Sequence, residues 1–166
     1  MATYVQIGST VTVGAGGQAA IDFTAIPSTY TDLLLKVSTR LDANNTAVKI
    51  QFNGLTTNLS SRYLYGSGSA AASYTDASNI YFYANSSTYT TSTFANSEIY
   101  IPNYAGSTAK SVAVDAVTET NASAADMALF AGLWNSTAAI TSIKLLPNSG
   151  NFVQYSTATL YGISKS

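Results

Sequence analysis

The run Leu33-Leu34-Leu35-Lys36-Val37-Ser38-Thr39-Arg40 constrains this chain more than any other stretch. It puts Leu33, Leu35 and Val37 on one side and Leu34, Lys36, Ser38 and Arg40 on the other. A period of two is the mark of a half-buried β-strand. Just before it, Ile21-Asp22-Phe23 alternates as well. Pro27 ends that segment, because proline has no N–H for a ladder and confines Ile26 to extended backbone. The stretch 20–41 therefore reads as two strands around a proline corner, and it carries the densest apolar run of the chain.

The remaining segments follow the same pattern. Residues 1–13 read as one strand, or as two short ones kinked at Gly8-Ser9, and Gly14-Ala15-Gly16-Gly17 reads as a flexible turn. A phosphate-cradling loop would need a following Lys-Ser/Thr and a helix, and neither is present. These features set residues 1–17 apart as an N-terminal strand or arm with a glycine-rich linker, ahead of a single β-sandwich domain over 18–166. Val48, Ile50 and Phe52 alternate up to Asn53-Gly54, the preferred pair for a type I′ turn, so a return strand is expected near Leu55. From Gly66 to Thr93 the chain is rich in Gly, Ser, Ala and Thr, with one strand-like island at Asn79 to Tyr83, and reads as long loops around a hairpin.

The last third carries strands at Glu98 to Ile101, Lys110 to Val117, Ile140 to Leu145 and Asn151 to Ile163. The apolar run Met127 to Trp134 fits a buried strand or a short helix; Gly132 and the flanking strands favour β. The expectation is an all-β antiparallel sandwich, jelly-roll-like, of nine or ten strands.

Composition narrows function by exclusion. The chain has no His and no Cys, which removes Ser-His-Asp, Cys-His and H-E-x-x-H schemes, disulfides and Cys-ligated zinc. Charged residues are 9% of the total, so the polar surface is mostly Ser, Thr, Asn and Tyr. Net charge is −1, and the seven basic residues are scattered singly from Lys36 to Lys165, with no patch for nucleic acid. No apolar run reaches the ~20 residues of a membrane helix. The start lacks a signal-peptide pattern, so cytoplasmic synthesis is expected.

Eight carboxylates are present, and a glycosidase needs two facing each other across a cleft. Asp115 has the opposite parity to Val112 and Val114, which predicts a solvated side chain. No catalytic, cofactor-binding or metal-binding set emerges, and no enzyme activity is expected. What stands out is aromatic: Tyr74, Tyr81, Tyr83 and Tyr89, with Phe94 just beyond. Such rings suit a core, a protein interface or a carbohydrate platform. Together with Tyr4, Val5 and Ile7 of the first strand they form the expected partner interface.

Two anchors frame the chain: Phe23, Ile26, Pro27, Tyr30, Asp32, Leu33, Leu35 and Arg40 near the start, and Leu160-Tyr161-Gly162-Ile163 at the end. With a Gly/Ser/Tyr-rich middle between them, this arrangement resembles small jelly-roll or β-sandwich virion proteins of tailed bacteriophages, cyanophages included. The resemblance implies a capsid decoration (cement) protein, or else a receptor-binding or tail-fibre module recognising a host surface glycan. With no shaft-like segment in the sequence, decoration is the expected role: a homo-oligomer, a trimer, binding the major capsid protein on the capsid surface of the virion. No cofactor, nucleic acid or membrane partner is expected.

Overall fold

A computed structural model describes residues 2–121 and 125–164; Lys165 lies outside them. The described residues form β1 (Thr3–Gln6), β2 (Val11–Thr12), β3 (Ile21–Phe23), β4 (Asp32–Thr39), β5 (Ala47–Phe52), β6 (Leu59–Gly66), β7 (Ala71–Asp76), β8 (Ile80–Tyr83), β9 (Ala95–Ile101), β10 (Lys110–Val117), β11 (Met127–Trp134), β12 (Ile143–Pro147) and β13 (Thr157–Ser164). There is no helix among them. The larger sheet runs β1-β13-β4-β9-β10-β11-β6-β7, with β2 continuing the β1 edge along β13; the smaller runs β3-β12-β5-β8. All their ladders are antiparallel.

Set β6, β7, β10 and β11 aside, and two four-stranded sheets remain: β1/β2-β13-β4-β9 and β3-β12-β5-β8. Their interleaved order is that of a jelly roll. The other four strands are two insertions, one between β5 and β8 and one between β9 and β12, and both extend the larger sheet beyond β9. The fold is thus the expected sandwich with more strands than expected. Two of the additional strands are β2, only two residues long, and β7, whose sequence Ala-Ala-Ser-Tyr-Thr-Asp has no apolar alternation to betray it.

β4 sits between β13 and β9 and buries Leu33, Leu35 and Val37 between the sheets. β11 alternates too: Ala128, Phe130, Gly132 and Trp134 point inward, while Met127, Leu129, Ala131 and Leu133 are exposed. Its apolar run is therefore a strand apolar on both faces, of which one is covered. β8 closes onto the inner face at Gly132, where a Cβ would stand 2.8 Å from the Ile80 Cγ2. Lys110 opens β10 fully buried, with its Nζ donating to the carbonyls of Gly106 and Thr108 at 2.6 Å each. Burial lowers its pKa.

Several local expectations need correction. Asn53 and Gly54 have the positive φ of a type I′ turn, 53° and 71°, and the Leu55 amide closes it on Phe52 O at 2.9 Å. No return strand pairs with β5, however. Asn53 accepts from Thr141 and Ser142 and donates to Ala139, so the segment leading into β12 occupies that edge, and β6 crosses to the other sheet. Between Gly66 and Thr93 one strand beyond the expected island appears: β7 pairs with β6 in a hairpin closed by Ser67 N to Ala70 O at 2.9 Å, and the expected island is β8. The strand expected from Ile140 begins at Ile143. The one expected from Asn151 begins at Thr157, because Phe152 instead bridges Gln18 and Leu41.

The first strand is two pieces on one edge, as β1 pairs with residues 161–164 and β2 with 157–158 of β13, with Gly8 at φ 69° between them. Several residues of the two sequence anchors do structural work. Asp32 accepts from the Tyr100 hydroxyl and the Asn103 amide at 2.9 Å each. Pro27 O accepts from the Tyr104 hydroxyl, and the Tyr30 ring lies directly on Gly162.

Candidate functional site

The aromatic cluster starts from alternation in β6, where Tyr63 and Tyr65 share the inner face. Register places Tyr63 between Tyr74 on β7 and Phe130 on β11. Their rings form a stacked row: Tyr65–Tyr74 at 5.8 Å between centroids, Tyr63–Tyr74 at 5.4 Å and Tyr63–Phe130 at 4.7 Å. From β8, Tyr83 meets this row edge-on, 6.1 Å from Tyr63 and 5.1 Å from Phe130. Each such pair adds about 0.5–1.5 kcal/mol beyond area burial, so the row pins the added β6–β7 hairpin to the jelly roll.

Between this row and β8 opens a cleft of about 360 Å3, lined by Tyr63, Tyr81, Tyr83 and Tyr89 with Asn44 and Ser86 among its polar groups. Its far wall is the loop 84–94, tied down by Arg40. The guanidinium donates to the carbonyls of Thr90 at 2.9 Å, Tyr89 at 3.0 Å, Thr93 at 3.1 Å and Ser87 at 3.3 Å. Arg40 thus positions Tyr89, and burial lowers its pKa without removing its charge.

Two of the cleft phenols have polar partners, Tyr83 in Tyr63 and Tyr81 in Asp76. Burial pushes the Tyr83 phenol well above its ordinary pKa, and its hydrogen bond with Tyr63 adds to this. Tyr81 is raised by burial and then by the charge of Asp76, to which it is bonded. Desolvation alone would raise Asp76. The amides of Ser78 and Asn79, both at 2.7 Å, the Asn79 side chain and Tyr81 outweigh it and hold the carboxyl below its ordinary range. The rings of Tyr63, Tyr83 and Phe130 lie against other rings, whereas Tyr81 and Tyr89 line the cleft with no ring partner among the described residues.

The expected interface residues divide into two groups. Tyr81, Tyr83 and Tyr89 meet at the cleft, Tyr74 joins them through Tyr63, and Phe94 lies partly buried before β9 without lining the cleft. Tyr4 and Val5 are exposed on β1, at the opposite edge of the larger sheet from β7, and Ile7 is packed against the core. They do not form one continuous surface. The reading of the sequence missed Tyr63, Tyr65 and Phe130, although the alternation Tyr63-Leu64-Tyr65 was a signal for the first two.

The outer face of the larger sheet holds the nearest approach to a carboxylate pair. Asp115 is exposed, as its parity predicts, and is the register partner of Glu98, which is salt-bridged to Lys36 at 3.0 Å. The pair stands in a shallow hollow with Asn96 and Ser97, not in an aromatic cleft. Among the described residues no three Asp or Glu side chains gather as a metal site. Neither a family model, nor a curated protein, nor a solved structure matches this chain.

Proposed function

We propose that this protein is a structural component of a phage virion, a capsid decoration (cement) protein that binds the assembled shell as a homo-oligomer and catalyses no reaction. One observation carries the reading: β1 is an open sheet edge. Its residues Thr-Tyr-Val-Gln are all exposed, Tyr4 at 60%, and they pair with β13 on one side only. Sheet edges are normally protected by lysine, proline or a bulge, because unpaired backbone groups template a further strand. β1 has neither lysine nor proline. A strand or loop of the major capsid protein would add there, gaining backbone hydrogen bonds and covering Tyr4 and Val5. With few charges on the surface, steering by long-range electrostatics is weak and salt has little effect on binding.

The experiment adds purified protein to shells that lack it, followed by imaging. Occupancy at regular lattice positions that persists in high salt is the expected result. Deleting residues 1–6 should abolish it while leaving the melting temperature near that of the intact chain, since the buried Val13 is retained. No shell binding, together with binding to host cells or surface glycans, would replace this reading with a tail-fibre one.

A further inference from the structure

We infer that the outer face of β11 is the contact between two copies of this chain, related by a two-fold axis that runs along β11. This does not rest on the phage reading. Four large apolar side chains crowd that face: Met127 at 67% exposed, Leu129 at 60% and Leu133 at 40% on β11, and Leu64 at 61% on β6. Leu64 is the direct register partner of Leu129. Ala131 and Ala113, register partners on β11 and β10, keep the surface between them flat.

The four large side chains expose on the order of 400 Å2, as much as the largest apolar patch of an ordinary monomer. Counted on both copies and widened by the alanines and the rim, the contact approaches the ~1,200 Å2 at which specific interfaces begin.

The charges at the rim select the occupant and its orientation. β10 and β6 flank β11 on opposite sides. β10 brings Asp115, register partner of Leu129, and β6 brings Arg62, register partner of Ala131. Asp115 has a like-charged cross-strand neighbour in Glu98, and Arg62 forms no ion pair among the described residues. Turning a copy over about an axis parallel to β11 lays β6 of one protomer over β10 of the other. Each Arg62 then lies over β10 of the other copy, ~7 Å along the strand from its Asp115 and within reach of it through the long guanidinium side chain, with the leucines stacked between the sheets about 10 Å apart. An axis across the strands would instead set Arg62 near Arg62 and the acidic pair near its own copy. The face is self-complementary in one orientation only, and an isologous contact closes at two copies, so the proposed state is a dimer and not the trimer expected from the sequence.

Sedimentation velocity of the full chain over a concentration series tests this. Wild type is expected as a monomer–dimer equilibrium. Leu129→Asp is expected to be monomeric throughout, with an unchanged melting curve because the side chain is exposed. Arg62→Asp should weaken the dimer roughly tenfold, from two symmetric pairs near the upper end of exposed ion pairs. Arg62→Asp combined with Asp115→Arg should restore it. A wild-type chain that is monomeric at every concentration, a trimer, a dimer indifferent to Leu129→Asp, or a double variant no tighter than Arg62→Asp would each overturn the proposal.

Discussion

The contact between Tyr30 and Gly162 ties the two ends of the chain together and makes a prediction whose sign reverses with background. Tyr30 is partly buried against the core, and a methyl group at Gly162 would overlap its ring. Gly162 itself sits mid-strand in β13 without positive φ, so its backbone tolerates alanine. The ring covers on the order of 80 Å2 of apolar surface, worth about 2 kcal/mol at ~25 cal/mol per Å2. Gly162→Ala must displace it, and should therefore destabilise by about 1–2 kcal/mol. With Tyr30→Ala already in place there is nothing to displace. Alanine is then the better strand residue, and the same Gly162→Ala change should stabilise by about 0.5–1 kcal/mol. Urea denaturation of the four proteins measures the coupling, expected near 2 kcal/mol. Thermal midpoints should move by roughly 2–4 °C per kcal/mol in a chain of this size. Gly162→Ala having the same sign in both backgrounds would refute the role given to the ring.

Two further outcomes are expected. Gly54→Val should cost about 1–3 kcal/mol, since a β-branched residue must take up positive φ, whereas Gly66→Val, at a position without positive φ and with open space around it, should be nearly neutral; equal denaturation midpoints would remove the turn assignment. Asp76 has a folded pKa below its unfolded one, so its contribution is fully present above the unfolded pKa of ~3.9 and is lost as pH falls through the folded value; the stability gap between wild type and Asp76→Asn should accordingly shrink as urea midpoints are measured from near neutrality into acid, and a gap constant with pH would show that the four-donor site around Asp76 does not favour its charged form.

Alternation and turn chemistry are local properties, so the class of fold and most of the strands are legible in the chain's own residues. Leu33 to Thr39 shows its two faces in its own residues, Lys110 to Val117 gives a strand with the same bounds in the structure, and Asn53-Gly54 declares its turn through the φ that asparagine and glycine tolerate. Tertiary structure alone decided which strands pair. The turn at Asn53-Gly54 forms, yet the strand after it joins the other sheet, since long-range hydrogen bonds from Asn53 to residues 139–142 fill the edge a hairpin would have used. β7 is a strand only because β6 supplies its ladder. The aromatic row exists because register aligns Tyr63 with Phe130, far apart in the chain. In β11 the sequence is apolar at every position, so no local pattern separates its covered face from its exposed one. Only the end of the smaller sheet at β8, which packs against one side of β11, leaves the other side bare.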